Sequence, residues 1–374
     1  MRLSALTALF LLILPIQTSQ AWDTKAKQAF IMDFETGQVL LAKNAYEAMP
    51  TSSMSKVMTT YMVFEALKNG TIEMDTKFPV SEKAWRKGGS KMFVELGKEI
   101  KVKDLLRGVI VQSGNDATIV LAEGLSGSED AFAKSMTQKA MEIGMEDSNF
   151  VNASGWPDPD HYSTAHDLAV MAKHLIKDFP EYYKMFAETE FTYNSIKQQN
   201  RNPLLYRDIG ADGIKTGHTE AGGYGLIGSA EKDGRRVIMV LNGMESEEER
   251  VEESIQLINW SLNSFENVTL AQKGQKVAEA AVAMGTQDKV DLIIGEDIKM
   301  TIPKSAKNNY TINVAYKNPL IAPIQEGEEI GKIVFNIPDM ESLTYPLYAS
   351  EGVEEVGFLK RTLLKFQYTL FGTP

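Results

Sequence analysis

The chain has 374 residues, 43% of them hydrophobic and 24% charged, the composition of a folded globular protein rather than a disordered or fibrous one. Its formal net charge of −11 argues against a general nucleic-acid binder, whose footprint would be basic, so no nucleic-acid partner is expected. There is no cysteine, which removes disulfides and thiol chemistry and leaves nothing for a lipoprotein anchor to acylate; a chain of this length is expected to fold as two domains on its own core.

The first residues, MRLSALTALFLLILPIQTSQAW, combine Arg2, an uncharged apolar run over 3–16 and a small-residue site at Ser19-Gln20-Ala21. The run is shorter than the roughly 20 residues that a spanning helix needs, so residues 1–21 read as an export signal rather than an uncleaved anchor. Next, KQAFIMDFETGQVLLAKN reads as two strands joined by a turn at Glu35-Thr36-Gly37. Residues 56–69 follow the helical period, with Val57, Tyr61, Phe64 and Leu67 near one face. A short strand, a helix ending near residue 112, a break at Ser113-Gly114-Asn115 and another helix come after it, followed by helices over 129–144 and 164–177. Residues 210–244 form an antiparallel meander whose second turn is Asp233-Gly234, and a helix over 247–263 closes the region. Strands at both ends with helices between predict one α+β domain over 22–265, its sheet joining the first and last strands.

After Phe265 the chain turns to short alternating runs cut by Gly and Pro, the pattern of a small β-sandwich over 266–353. Within the final segment, 354–374, residues 356–371 are helical by pattern. They carry Lys360, Arg361 and Lys365 and no acid, with Leu359, Leu363, Phe366 and Leu370 on one stripe and Phe358 and Phe371 flanking it. Such a helix either packs on the sandwich or lies on the outer surface of a membrane. Local positive charge on an acidic chain favours the membrane.

Chemistry concentrates at three places. Ser53 and Lys56 match Ser-x-x-Lys at a helix start, where residues three apart share a face and the amine can reach the hydroxyl. A serine needs a base beside it, and a lysine serves only if burial or a nearby cation lowers its pKa. Ser113 and Asn115 give Ser-x-Asn in the break between two helices, and Lys215-Thr216-Gly217 sits on a strand, where the lysine can bind a carboxylate. Each is common alone: Ser229 with Lys232 and Ser261 with Asn263 repeat two of the patterns in contexts that read as structure. The order Ser-x-x-Lys, Ser-x-Asn, Lys-Thr-Gly, each in a fitting context, is the uncommon feature.

At these residues, and at NASGWPDPDHYSTAHDLA, QQNRNPLL and DGIKTGHTEAGGYGLIGSA, the chain resembles the D-alanyl-D-alanine carboxypeptidases, the low-molecular-mass penicillin-binding proteins. The resemblance implies a β-lactamase/transpeptidase-like α+β domain, a small all-β domain and a terminal amphipathic helix. It implies Ser53 as acyl-ester nucleophile, Lys56 as proton acceptor and Ser113 as relay to the leaving amine. Asn115 would bind the substrate amide, Lys215 and Thr216 the terminal carboxylate, and the backbone N–H groups of Ser53 and His218 would form the oxyanion hole. Arg201 and Arg250 match family arginines near the site. Partners implied are peptidoglycan stem peptides ending in D-Ala-D-Ala, β-lactams as covalent inhibitors, and the outer face of the cytoplasmic membrane through the last helix; no cofactor or metal is implied.

The second motif is Ser-Gly-Asn rather than Ser-Asp-Asn, and GWPDPDHYS stands where many β-lactamases carry a loop with a deacylating glutamate, which points to slow turnover of a penicilloyl ester. A D,D-endopeptidase, a β-lactamase of the same fold and a catalytically idle cell-wall binding protein remain as alternatives. A zinc peptidase is disfavoured because His161, His166, His174 and His218 form no H-E-x-x-H, and a Ser-His-Asp hydrolase because no G-x-S-x-G occurs.

Overall fold

The structure, a computed structural model, describes residues 23–362 apart from 339 and 341. The expected export signal over 1–21, and the expected terminal helix from Leu363 on, lie outside the described residues.

The first unit begins with β1 (Gln28–Asp33), β2 (Val39–Lys43), α1 (Lys56–Lys68), β3 (Lys77–Pro79), α2 (Glu82–Arg86) and β4 (Glu99–Lys101). A helical body follows: α3 (Val102–Ile110), α4 (Asn115–Ser126), α5 (Glu129–Glu142), α6 (Ala165–Asp178) and α7 (Pro180–Tyr183). The chain then returns through β5 (Glu190–Tyr193), β6 (Ile196–Gln199), β7 (Ala211–Thr219), β8 (Gly223–Lys232), β9 (Arg235–Met244) and α8 (Glu247–Asn263).

The main sheet has the order β2-β1-β9-β8-β7 with antiparallel neighbours, so the first strand is inserted beside the last, as the pattern predicts. Side chains alternate across it with period two. Phe30, Met32, Ile227, Ile238 and Val240 join the core of the helical body, while Ala29, Ile31, Leu226, Met239 and Leu241 join Leu257 and Ile258 of α8. Helix α1 is buried on nearly every side, which is why it lacks a polar face. Strand β7 ends the sheet, and the start of α1 is pressed against it: a Cβ on Gly217 would lie 3.1 Å from Met54 Cγ and Ser52 Cβ.

The second unit is all-β, as expected, but its layers are unequal. It comprises β10 (Phe265–Ala271), β11 (Lys276–Ala283), β12 (Lys289–Ile294), β13 (Ile298–Pro303), β14 (Thr311–Tyr316), β15 (Leu320–Ile321), β16 (Glu329–Asn336) and β17 (Leu343–Ala349). Six strands form one sheet in the order β14-β16-β17-β12-β11-β15, and β10 pairs only with β13. Packing continues to Val356, which is 6% exposed and donates its N–H to Met284 O.

A polar knot joins the two units. Asp33, fully buried at the end of β1, accepts hydrogen bonds from the N–H groups of Glu35 and Thr36 and from Asn267 Nδ2 of β10, and pairs with Arg235 Nε at 2.9 Å. Thr36 Oγ1 meets Thr301 Oγ1 of β13 at 2.6 Å, and Lys299 reaches Glu35 at 2.9 Å. Removing one partner of such a pair strands a buried charge. Asp33→Ala should therefore cost about 3–5 kcal/mol, read as an earlier urea transition, and a loss under about 1 kcal/mol would show that the knot is not structural.

Candidate active site

Pro50-Thr51 leads into a 3-10 turn, Ser52–Ser55, that runs straight into α1. In 3-10 geometry side chains three apart eclipse, so Ser53 and Lys56 are aligned more closely than on an α-helix. Lys56 Nζ lies 2.8 Å from Ser53 Oγ and donates at 2.6 Å to the carbonyl of Ser154. The amine is fully buried. Burial, then the charges of Lys215, Arg201 and Lys87, hold its pKa well below the usual lysine value, against a smaller opposing pull from Asp116. A neutral Lys56 can thus donate to Ser154 O while its lone pair faces the serine hydroxyl.

The break between α3 and α4 supplies the second group. Ser113 has φ +59, and its buried Oγ has no hydrogen-bond partner among the described residues although it lines the cavity with Ser53. Asn115 Nδ2 donates to Gly88 O at 2.9 Å, and buried Asp116 accepts the N–H groups of Met92, Phe93 and Val94, folding residues 88–94 over the start of α4. This explains the glycine of Ser-Gly-Asn: a Cβ on Gly114 would lie 2.9 Å from Asp116 Oδ1 and 3.1 Å from Met92 N.

Strand β7 forms the opposite wall. Ser53, Ser113, Thr216, His218, Arg201 and Arg250 are among the residues lining a polar cavity of about 360 Å3. The His218 ring lies on Tyr224 with centroids 4.0 Å apart. Arg201 donates to Ser90 Oγ at 2.7 Å, and Arg250, from α8, is held by Glu247 at 2.6 Å. Lys215 is 4% exposed and donates to Thr216 O at 3.0 Å. Burial, then the charges of Arg201 and Arg250, push its pKa down to about 7. Asn115 and Lys215, 6% and 4% exposed, are not among the residues lining this cavity.

The repeated patterns are separated here. Ser229 Oγ accepts from Arg236 at 2.6 Å, while Lys232 donates to Asn263 at 3.0 Å.

Sequence reasoning missed the wall formed by residues 151–161. Gly155 has φ +75, and a Cβ there would fall 1.7 Å from Ser52 O, so only glycine lets this loop close on the nucleophile turn. His161 Nδ1 accepts the Val151 N–H at 3.2 Å, which leaves Nε2–H to donate to Ser55 Oγ at 2.8 Å, and Ser55 in turn meets Thr51. Burial, helped by Lys56 and opposed by Asp158, takes His161 down to about 4, so it is neutral and serves as a fixed strut. No motif announces a backbone carbonyl such as that of Ser154; the crowded GWPDPDHYS was the only available signal.

The sequence model of the D-alanyl-D-alanine carboxypeptidase family matches residues 15–246, and that of the penicillin-binding protein 5 C-terminal domain matches 265–355. D-alanyl-D-alanine carboxypeptidase DacA of Haemophilus influenzae is 38% identical over 339 residues, covering 89% of this chain and 86% of the relative. The crystal structure of D-alanyl-D-alanine carboxypeptidase DacD from Francisella tularensis superposes with a TM-score of 0.84 at 31% identity, over 92% of this chain and 97% of that one. Penicillin-binding protein D2 of Listeria monocytogenes, in its ampicillin-bound form, gives 0.58 at 31% identity over 63% and 97% of the two chains. Fold and cavity define a serine peptidase with a lysine beside its serine. The chain belongs to the D-alanyl-D-alanine carboxypeptidase family.

The depressed Lys215 predicts a pH dependence. Its cationic form is present below about 7 and is lost above, so affinity for a carboxylate ligand of the cavity should fall as pH rises through that value. Lys215→Arg, whose guanidinium keeps its proton, should hold the affinity flat to about pH 9. A fall unchanged in Lys215→Arg, measured by inhibition with a carboxylate ligand, would assign the titration elsewhere.

Proposed function

We propose that the protein removes the terminal D-alanine from peptidoglycan stem peptides by acylation and deacylation of Ser53. The observation that carries this is the 2.8 Å approach of a buried, pKa-depressed Lys56 amine to Ser53 Oγ. Ser53 Oγ attacks the carbonyl carbon of the penultimate D-alanine and passes its proton to Lys56. The backbone N–H groups of Ser53 and His218 receive the oxyanion. The C–N bond then breaks, Ser113 relaying a proton to the departing amine, and water cleaves the acyl ester to restore Ser53. Thr216, Arg201, Arg250 and Lys215 hold the terminal carboxylate, and Asn115 the substrate amide. Three cations around one end of the cavity favour a free carboxylate there, hence a carboxypeptidase over an endopeptidase that must accept a continuing chain.

A β-lactam meets the same serine. Its C–N bond also breaks, but the amine stays tethered to the acyl group and blocks the approach of water, so the ester persists. In Ser53→Ala, both labelling by a fluorescent penicillin and D-alanine release from a muropeptide ending in D-Ala-D-Ala should vanish, while Ser52→Ala should keep labelling. The reverse pattern would move the nucleophile to Ser52.

The same proposal places the enzyme outside the cytoplasm, on the outer surface of the membrane, attached by its last helix. Supporting this, Phe358 and Leu359 are 81% and 85% exposed, beyond the last packed residue, Val356. Arg361 is paired with Glu355 at 2.8 Å, so Lys360 and Lys365 would supply most of the attraction to anionic lipid, about 1 kcal/mol each. Deleting residues 358–374, which follow Val356, should move active enzyme to the soluble fraction. Continued sedimentation with membranes would make the segment a packing element.

A further inference from the structure

Among the described residues that line the polar cavity, Glu247 alone carries a carboxylate, in a pocket whose cations suit a carboxylate ligand. Its position follows from α8. Ser246 caps that helix by accepting the Glu249 N–H at 3.1 Å, and three glutamates fill the first turn, where negative charge is favoured. Glu248 and Glu249 serve that preference without entering the cavity lining; Glu249 accepts the Glu245 N–H at 2.7 Å and lies 3.8 Å from Lys25 Nζ. Glu247 instead lies three residues before Arg250, on the same face, and accepts from its Nη2 at 2.6 Å.

The two partners differ in freedom. The Arg250 side chain is 5% exposed and lies over the Tyr224 ring at 5.6 Å, and that ring stacks on His218. The Glu247 side chain is 63% exposed. Arg250 is therefore the fixed member and Glu247 the one with room to leave. The buried Nε of Arg250 has no partner among the described residues. Lys215 donates to a backbone carbonyl and Arg201 to a hydroxyl, so among the described residues Glu247 is the one acid paired with the cationic cluster.

We propose that Glu247 is a competing carboxylate, which a ligand's terminal carboxylate displaces from Arg250, and that it thereby sets how strongly the enzyme prefers a free acid to an amide at that end. Binding of the acid gains a pair with Arg250 and gives up the pair with Glu247, which turns out into solvent. Released D-alanine carries the same group and is held less tightly for the same reason. An amide end brings no charge to Arg250 and leaves Glu247 in place. Glu247 touches no reacting atom; it acts through Arg250 as a positioning residue. The inference rests on the carboxypeptidase reading above and adds the residue that moderates its grip on the terminal carboxylate.

The test compares an N-acetylated peptide ending in D-Ala-D-Ala with its C-terminal amide, in the native enzyme and in Glu247→Gln. Rates are counted per penicillin-labelled site, so that loss of folded enzyme does not imitate the effect. For an exposed ion pair, Glu247→Gln should raise kcat/KM for the free acid by about three- to fivefold, through a lower KM, and for the amide by less than about twofold. The second-order rate of acylation by benzylpenicillin should rise by the same factor, and that by its methyl ester should not; this arm needs no D-alanine release. In an Arg250→Gln background the substitution at Glu247 should lose most of its effect, because the competition needs the guanidinium. A KM for the free acid that is unchanged or raised in Glu247→Gln makes Glu247 a mere support for Arg250 and overturns the proposal. A gain shared by the amide, or one of equal size in Arg250→Gln, overturns it as well. No D-alanine release by the native enzyme overturns the carboxypeptidase reading, and the two penicillin rates then decide the role of Glu247 by themselves.

Discussion

The structure turns on one buried amine. Lys56 sits at the start of a helix enclosed by the helical body, with no exposure and two neighbours within 2.8 Å: the hydroxyl it can deprotonate and a carbonyl that anchors it. An isolated ammonium is costly to bury, and a protein of this kind escapes the cost by releasing the proton. Asp116 favours the charged form, but its pull is the smallest of those acting on the amine, and its oxygens are taken up by the N–H groups of Met92, Phe93 and Val94. Burial and the surrounding cations therefore prevail.

That choice organises the neighbouring segments. The Ser154 carbonyl must be brought to Nζ, which requires Gly155 to pass against the Ser52 backbone and His161 to tie the same loop to Ser55. The 3-10 turn gives Ser53 and Lys56 their common direction, and the pressure of Met54 and Ser52 on Gly217 sets the distance to β7. A chain of net charge −11 thus carries a cationic pocket, because Lys215, Arg201 and Arg250 converge from a strand, a loop and a helix. Their repulsion is held in check by local partners, Glu247 for Arg250 and Ser90 for Arg201. The knot around Asp33 lies at the far end of β1 and fixes the all-β unit to this body without touching the cavity.

Most of the architecture was legible in the sequence because it rests on local rules. Apolar alternation, the Asp233-Gly234 turn and the helical period of 247–263 depend on neighbours in the chain, and β8, β9 and α8 appear where those rules put them. The short hairpin of β5 and β6 and the 3-10 turn at Ser52–Ser55 were not legible, since a few residues give no period to read. The unequal layers of the all-β unit were hidden for another reason: alternation gives a strand's faces but not its partners.

The three motifs, and with them the family, were determined by the sequence alone, because residue type and spacing are local properties. Their convergence was decided by tertiary structure: Ser53, Ser113 and Thr216 come to one cavity only through the packing of α1, α4 and β7. The fold also decided which of two Ser-x-x-Lys pairs is a pair at all, since Lys232 is drawn to Asn263 and Lys56 to Ser53. The protonation of Lys56 and Lys215 belongs to the same class. A side chain's pKa is set by the solvent it loses and the charges it meets, and both are supplied by segments distant in the chain.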